Sequence, residues 1–181
     1  MNAILGFNGL LREELAGQPE NVEVVEHIRR STGHLLKVVN DILDFSQLQA
    51  GKLQLHPVDF ELADGVAELQ RNFQHKADEK SLRFSITLDP ALPARIHADR
   101  QRCLQTLRNL LDNAFKFTEH GSVTLTLLAC DTGLRCEVAD TGRGVAQAQH
   151  AQIFRRFEHA DVQTTRAYGG TGLGLSICEK L

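Results

Sequence analysis

The first 50 residues show hydrophobic side chains at helical spacing and almost none of the alternation that is typical of strands. The tetrapeptide GQPE at 17–20 is a turn signal between two helical segments. In the second segment, positions on one side recur at alternating steps of three and four: Val25, Ile28, Thr32, Leu35, Val39 and Ile42. Two helices joined by a short turn lie antiparallel, so the pattern predicts a helical hairpin.

The apolar face of this hairpin is wider than two helices can bury. Leu36 and Leu43 lie beside the stripe on the second helix, and the first helix adds Ala3, Phe7 and Leu10. A second copy of the chain would cover this surface and complete a four-helix bundle. The surface would also be covered if the hairpin packed on the rest of its own chain. We expect a homodimer through the hairpin.

After Ala50 the pattern changes to alternating strands and helices. The segments are, in order, LQLHPVDF as a strand, a helix over roughly 60–80, RFSITL as a strand, a helix over roughly 98–117, and the strands SVTLTLLAC and LRCEVAD. This order predicts an α/β sandwich with helices on one face of a mixed sheet. The whole chain is therefore expected to be α+β, with a hairpin domain at 1–50 and an α/β domain at 51–181.

Composition limits the classes of function. Hydrophobic residues make up 42% and charged residues 24% of the chain, which is typical of a globular rather than a disordered protein. The formal net charge of −3 gives no basic excess, so we expect no nucleic-acid partner. The sequence has neither a run of about 18 apolar residues nor a signal-peptide pattern. The four cysteines form no CxxC pair, which favours reduced thiols in a cytoplasmic protein over a metal site.

The predicted helix at the NLLDNAFKF segment has an unusual polar side. Asn109 and Asn113 lie one turn apart there, and Lys116 follows a further turn along. Asparagine is a poor helix former, so two asparagines on one face need a reason. A carboxamide oxygen can coordinate Mg²⁺, and a lysine can bind phosphate oxygens. The polar side is therefore either a ligand site or a solvated surface.

A second cluster follows the last predicted strand, in the segment VADTGRGV. Asp140 ends the strand, and a carboxylate there can accept a hydrogen bond from an exocyclic amine. Gly142 and Gly144 would let the backbone turn sharply and approach a planar base closely. The same residues would also fit a simple turn in which the aspartate caps its own loop.

A third cluster, GGTGLGLSICEKL, places glycines before an apolar helix. Backbone N–H groups at a helix N-terminus bind anions, but the spacing of Gly170, Gly172 and Gly174 fits neither a Walker loop nor a Rossmann fingerprint. A flexible hinge would have the same composition. Upstream, Phe154 and Phe157 share one face of a short helical segment before a polar loop, which would also suit ordinary anchoring of that loop on the core.

In chain order, the segments NLLDNAFKFT, DTGRG, FRRF and GGTGLGL strongly resemble the N, first-glycine, F and second-glycine boxes of sensor histidine kinases. The segments MNAILGF and HLLKVVNDILDFSQLQAGKL resemble the dimerisation and phosphotransfer domain of the same family. The resemblance covers essentially the whole chain. It implies a Bergerat-type α/β sandwich, which gyrase-type ATPases share, and it implies ATP and Mg²⁺ as cofactors.

The resemblance also implies roles for individual residues at the nucleotide. Asn113 matches the family's Mg²⁺-binding asparagine, and Asn109 matches the other polar residue of the N box. Lys116 matches a lysine that contacts phosphate, and Arg166 resembles the lid arginine near the terminal phosphate. Asp140 matches the aspartate that recognises the adenine amino group. Asn109, Lys116 and Arg166 are the expected catalytic residues.

The remaining matches concern the pocket and its lid. Gly142 and Gly144 match the glycines that shape the adenine pocket, and Phe154 and Phe157 match the F box that anchors the mobile ATP lid. The glycine motif that lies under the phosphates in the family is matched here by Gly170, Thr171, Gly172 and Gly174.

The sequence departs from the family pattern at both ends. The family's phosphate-accepting histidine lies in an H-E-x-R-T-P stretch directly before the residues that match MNAILGF, and this sequence lacks that stretch. His27 and His34 lie in a different context, and we expect neither to accept phosphate. The family also adds two strands after the helix that begins at GTGLGLSI. We therefore expect a fragment of a longer kinase, either a hybrid or an inner-membrane-anchored receptor, that is inactive by itself.

The expected function is a histidine kinase core in a two-component phosphorelay. It would bind Mg-ATP, transfer the γ-phosphate to a histidine of the dimer, and pass it to an aspartate of a response-regulator receiver domain. One alternative is an ATP-hydrolysing enzyme of the gyrase or mismatch-repair type. Those enzymes carry a general-base glutamate at the position of Asn109, and an amide cannot take a proton from water. The other alternative is a dimeric scaffold that binds ATP without transferring phosphate.

Overall fold

The computed structural model describes residues 2–15, 17–131, 133–150, 152–154 and 172–181. The chain divides into two compact units, Met1–Lys52 and Leu53–Leu181. In the first unit, helices α1 (Asn2–Glu14) and α2 (Pro19–Gln49) pack against each other. Only a short turn separates them, so they run antiparallel, and the helical front predicted from the sequence is confirmed.

The hairpin has a small buried interior and a large exposed apolar surface. Val25 and Asn8 are buried, and Oδ1 of Asn8 accepts no hydrogen bond among the described residues. Many large hydrophobic side chains are exposed on the two helices, among them Phe7, Leu10, Val24, Leu35, Ile42 and Leu43. The heptad positions of α2 therefore lie mostly outside the contact between α1 and α2.

The second unit contains a mixed three-stranded sheet and a separate two-stranded sheet. In the larger sheet, β2 (Arg83–Leu88) is parallel to β4 (Ser122–Cys130), and β4 is antiparallel to β5 (Gly133–Asp140). In the smaller sheet, β1 (Val58–Glu61) is antiparallel to β3 (Arg95–Ala98). The mixed sheet was predicted, whereas β3 was not, because a run of four residues is too short to show a strand pattern.

Polar side chains pair across the two strands of the small sheet. Asp59 pairs with His97 across the two strands, with 2.7 Å between Oδ1 and Nδ1, and Glu61 pairs with Arg95. These four side chains share the exposed face, whereas Phe60 and the other inward residues lie on the opposite face. Cross-strand pairs of this kind stabilise one register over its neighbours.

Helices α3 (Leu62–Lys80) and α4 (Arg100–Phe117) cover one face of the three-stranded sheet. The core between the layers includes three aromatic rings: Phe73 stacks on Phe115 at 5.5 Å between centroids, and Phe84 meets Phe115 edge-on at 5.3 Å. The inward residues of β4 are almost completely buried: Val123, Leu125 and Leu127. A helix layer on a mixed sheet is the architecture that the sequence predicted for this region.

Both ends of α4 are held in place by side chains. At its N-terminus, Asp99 accepts hydrogen bonds from the backbone N–H groups of His56 and Arg102, at 2.9 and 3.0 Å. These bonds, that of His56 first, hold the pKa of Asp99 below its usual value. At its C-terminus, Lys80 donates a hydrogen bond to the carbonyl oxygen of Phe115 at 2.5 Å. A helix fixed at both ends can hold functional side chains in constant positions.

A short 3₁₀ turn (Gln147–Gln149) and the C-terminal helix α5 (Gly174–Lys180) complete the described elements. Helix α5 packs against α4, and Leu173 and Ile177 are buried in that contact region. Ser176 donates a hydrogen bond to the carbonyl oxygen of Leu173 at 2.8 Å, which closes the first turn of α5.

Candidate functional site

The polar side of α4 is less open than its sequence pattern indicated. Leu104, Leu107 and Leu111 are buried as expected for the apolar side. Asn113 is half-buried, but Asn109, which was expected beside it on the polar side, is only 6% exposed. The two asparagines are therefore not equivalent, although they lie one turn apart on the same helix.

Asn109 is covered by the start of α5. A β-carbon added to Gly174 would lie 3.5 Å from Cγ of Asn109, so the glycine backbone packs directly on the carboxamide. Nδ2 of Asn109 also approaches the carbonyl oxygen of Gly174 at 3.5 Å, the outer limit of a hydrogen bond. Asn109 therefore contacts the segment that carries the second-glycine motif, a long-range contact that no local pattern in α4 could reveal.

Asp140 lies at the end of β5, and one of its two carboxylate oxygens accepts a hydrogen bond within its own loop. Oδ1 accepts a hydrogen bond from the backbone N–H of Gly142 at 2.9 Å. The hydroxyl of Thr118 lies 3.5 Å from Oδ1, but it donates its shorter bond, 2.7 Å, to the carbonyl oxygen of Ala114. Oδ2 of Asp140 accepts no hydrogen bond from the described residues, and the side chain is exposed. The carboxylate can accept a hydrogen bond from an outside donor without giving up its own loop contact.

The two glycines after Asp140 are required for different reasons. A β-carbon on Gly142 would collide with the carbonyl oxygen of Phe117 and lie 2.8 Å from Oδ1 of Asp140. A β-carbon on Gly144 would meet no neighbouring atom, but the φ of this residue, 66°, lies in the left-handed region. Sequence reasoning identified both positions as glycine-dependent, but it could not tell a close approach from a left-handed turn.

Thr141 ties the same loop to the start of β4. Its hydroxyl accepts a hydrogen bond from the backbone N–H of Ser122 at 2.9 Å and donates one to the carbonyl oxygen of His120 at 3.1 Å. A β-carbon on Gly121 would collide with this hydroxyl. Thr141 and Thr118 were not singled out from the sequence, because a threonine beside a strand end has no distinctive pattern.

The aromatic ring of Phe117 lies near two cationic side chains. Nζ of Lys116 is 5.0 Å from the ring centroid, and the guanidinium carbon of Arg143 is 4.9 Å from it. Both distances fall within the range of a cation–π interaction. Lys116 was predicted to lie at the site, whereas Arg143 and Phe117 were not.

Comparison with known proteins identifies both parts of the chain. Residues 1–51 match the His Kinase A (phospho-acceptor) domain, and residues 98–181 match the family of histidine kinase-, DNA gyrase B- and HSP90-like ATPases. The chain is 34% identical over 187 residues to the signal transduction histidine-protein kinase BarA of Escherichia coli strain K12, a match that takes in all of this chain and 20% of BarA. The chain belongs to the sensor histidine kinase family.

Two solved histidine kinase structures share this fold. Full-length ShkA in complex with AMPPNP has a TM-score of 0.74 and 36% identity, over 99% of this kinase chain and 37% of ShkA. The kinase ThkA in complex with the response regulator protein TrrA has a TM-score of 0.63 and 25% identity, over 98% of this chain and 48% of the other. The chain spans about a fifth of the length of the curated relatives it matches.

The structure describes only some of the remaining motif residues of this histidine kinase chain. Phe154 is exposed, with 39% of its surface accessible, and Gly172 adopts a left-handed φ of 65°. Four further predicted residues lie outside the described ranges: Phe157, Arg166, Gly170 and Thr171. None of the helices in the described ranges is both long and apolar enough to cross a membrane.

Proposed function

We propose that this chain is the catalytic core of a sensor histidine kinase. The unit Leu53–Leu181 binds Mg-ATP, and the γ-phosphate passes to a histidine carried on a dimeric bundle of hairpins. A receiver domain of a response regulator then takes the phosphoryl group onto an aspartate. The observation that carries the proposal is the carboxylate of Asp140, fixed by Gly142 through one oxygen and open to an outside donor through the other.

Asp140 would recognise the adenine end of the nucleotide. An exocyclic amino group donates a hydrogen bond, and a carboxylate is an acceptor only, so the pairing favours adenine over guanine, which offers a carbonyl oxygen at that position. Gly142 packs against the carbonyl oxygen of Phe117, whereas Gly144 has open space where a β-carbon would lie. Gly144 therefore leaves room for a planar base to approach the backbone closely.

The donor set on α4 suits Mg²⁺ bound together with phosphate. Mg²⁺ takes one or two protein oxygen ligands and completes its shell with phosphate oxygens and water. Within the described ranges, no group of three or more His, Cys, Asp or Glu side chains could hold a metal by itself. The amide oxygen of Asn113, half-buried on α4, fits the role of a single neutral ligand, and the bound ion would neutralise charge on the phosphates.

Positioning and charge neutralisation are the contributions of this chain to phosphoryl transfer. Lys116 supplies a cation on the same face as Asn113. Arg166 is proposed as a second cation at the terminal phosphate, together with the glycine motif around Gly170, Thr171 and Gly172. Asn109 cannot act as the general base of an ATP hydrolase, because it is an amide, and its carboxamide packs beneath Gly174.

The hairpin is proposed to form the dimer and to carry the phosphotransfer surface. The exposed heptad residues of α2, such as Leu35 and Val39, would be buried between two copies. The proposal of a receiver domain as partner is supported by the structure of a related kinase, ThkA, which was solved in complex with the response regulator TrrA. We assign this part of the protein to the cytoplasm, where ATP and a response regulator are available.

Asp140→Asn tests the nucleotide assignment. Asparagine keeps an oxygen for the N–H of Gly142 but turns an NH₂ toward the base, where it would face the adenine amino group. Titration calorimetry of the chain with Mg-ATP and Mg-GTP should show ATP affinity falling by about tenfold or more and the preference over GTP lost. Asp112→Asn, which removes a carboxylate paired with Lys76, is the matched control and should keep the preference.

Phosphoryl transfer is tested with an acceptor supplied from outside. A recombinant hairpin that carries the H-E-x-R-T-P segment, incubated with this chain and ATP labelled at the γ-phosphate, should gain acid-labile label. The Asp140→Asn chain should label it more slowly at limiting ATP. Binding of ATP without any label on the acceptor would instead favour the non-catalytic scaffold.

A further inference from the structure

We propose that Thr141 is a positioning residue for nucleotide recognition. Its hydroxyl ends the pairing of β4 with β5 directly after Asp140, and it thereby fixes the carboxylate that would bind adenine. This inference rests on the proposed function, because Thr141 acts through Asp140. Thr141 occupies an unspecified position of the pattern D-x-G-x-G, so the family resemblance gives it no role.

The hydrogen bonding between β4 and β5 changes at Thr141. Asp140 lies opposite Val123, so Thr141 comes next, opposite Ser122. The backbone N–H of Thr141 donates to the carbonyl oxygen of Ser122 at 3.1 Å, as in a regular antiparallel pair. The N–H of Ser122, however, donates to the hydroxyl of Thr141 at 2.9 Å. The hydroxyl therefore takes the place that the carbonyl oxygen of Thr141 would have in a regular ladder.

This replacement lets the main chain leave the sheet directly after Asp140. In a continued ladder, the carbonyl of Thr141 would bond to β4 and Gly142 would extend the strand. Gly142 instead packs on the carbonyl oxygen of Phe117 and donates its N–H to Oδ1 of Asp140 at 2.9 Å. The early end of the ladder therefore permits the hydrogen bond that fixes the carboxylate.

The turn to which Thr141 is bonded is itself held in place. The hydroxyl of Thr141 donates to the carbonyl oxygen of His120 at 3.1 Å. The carbonyl oxygen of Gly121 accepts a hydrogen bond from the N–H of Arg83 at 3.0 Å, which ties the turn to β2. Gly121 also leaves room for the hydroxyl, because a β-carbon there would collide with it. Thr141 thus joins the loop after β5 to a fixed turn.

Thr141→Val tests this role, because valine has nearly the same shape but no hydroxyl. The N–H of Ser122 would then lose its acceptor or draw the carbonyl of residue 141 into the ladder, and either change displaces Asp140. Titration calorimetry should show the affinities for ATP and adenosine falling by the same factor, about three- to tenfold, as expected for one lost hydrogen bond. The preference for ATP over GTP should shrink as well. Thr141→Ser keeps the hydroxyl and should restore the parent's values.

A double-mutant cycle separates positioning of the carboxylate from a general loss of structure. If Thr141 acts through Asp140, Thr141→Val should weaken ATP binding by less than about twofold in a chain that already carries Asp140→Asn. Thr124→Val is the matched control. It removes a threonine hydroxyl from β4, where that group lies 3.3 Å from the hydroxyl of Ser85, and it should leave the affinity for ATP unchanged.

Unchanged ATP affinity in Thr141→Val would overturn the inference, and so would an equal loss in Thr124→Val or a failure of Thr141→Ser to restore binding. A full loss from Thr141→Val in the Asp140→Asn chain would show that the hydroxyl acts on the loop and not through the carboxylate. A parent chain that bound neither ATP nor adenosine would overturn the proposed function as well. ATP binding that is lost in Asp140→Asn but kept in Thr141→Val would overturn this inference alone.

Discussion

Gly142 packs its α-carbon against the carbonyl oxygen of Phe117, so closely that a β-carbon would collide with it. This contact joins the loop after β5 to the last residue of α4. The same glycine donates its N–H to Asp140, and the next residue, Arg143, stacks on the ring of Phe117. The proposed base acceptor and the proposed phosphate-binding helix are therefore held in a fixed relation by one residue without a side chain.

Gly142→Ala should displace this loop. The added methyl group meets backbone at Phe117 and not a flexible side chain, so we expect a loss of about 1–3 kcal/mol in the free energy of unfolding, with weaker ATP binding. Urea denaturation and titration calorimetry measure the two effects. Gly133→Ala is the control: it has a positive φ of 132°, its β-carbon would meet no atom, and it lies at the opposite end of β5 from Asp140, so its positive φ should cost about 1–2 kcal/mol. ATP binding that survives in Gly142→Ala as well as in Gly133→Ala would argue against the fixed loop.

Asn113→Ala should remove the dependence of ATP binding on Mg²⁺. The side chain offers the neutral oxygen ligand proposed for the ion, and few other protein oxygens on α4 could replace it. Calorimetric affinities for ATP should differ by less than about twofold with and without Mg²⁺ in this variant, against about tenfold or more in the parent. Asp112→Asn, one position earlier, should keep the parent's dependence, since its carboxylate is engaged with Lys76. A variant that still requires Mg²⁺ would show that Asn113 is not the ligand.

Leu35→Glu should separate the proposed dimer without unfolding the hairpin. Leu35 is 55% exposed in the single chain, so a glutamate there is tolerated by one copy. In a two-fold bundle the charge would be buried near its own symmetry mate, which is strongly unfavourable. Sedimentation velocity should report a monomer for this variant and a dimer for the parent and for Asn40→Glu, which changes an exposed polar position on α2. A parent that sediments as a monomer at micromolar concentration would refute the bundle.

Lowering the pH should weaken the contact between α3 and α4, because part of that contact is made by the ionised carboxylate of Glu68. Its carboxylate accepts hydrogen bonds from Arg100, at 2.7 Å, and from Arg108, and the Arg100 bond is the main cause that holds the pKa of Glu68 below its usual value. A lowered folded-state pKa adds stability above the ordinary glutamate pKa of about 4.3, and that stability is lost as the pH falls through the folded value. The pair is partly exposed, so the effect should stay below about 1 kcal/mol.

Glu68→Gln checks this prediction. The variant should unfold at lower urea concentration than the parent at pH 7, and the difference should shrink at pH 3. Glu79→Gln, which alters only an exposed pair with His75, should not reproduce the trend. A difference between Glu68→Gln and the parent that is the same at both pH values would exclude the ionised carboxylate as its source.

Much of the architecture followed from local pattern. The heptad spacing of α2 and the GQPE turn determined the hairpin, and the alternation in SVTLTLLAC and LRCEVAD determined β4 and β5. These features are readable because burial of one face repeats at a fixed period along each element. The residue types at Asn113, Lys116 and Asp140 indicated the position of a ligand-binding site, and the roles of these residues are proposals.

Other features were decided only by tertiary contacts. Asn109 and Asn113 have the same chemistry and the same helical face, yet α5 covers the first and leaves the second half-open. Phe115 lies in the core because Phe73 and Phe84 meet it there, and Arg143 lies near the ring of Phe117 because the loop after β5 packs on the end of α4. Each of these depends on residues distant in the chain. The sequence by itself could therefore determine which side of an element is apolar, while the fold decided which polar groups on the other side are covered, paired or left open to a ligand.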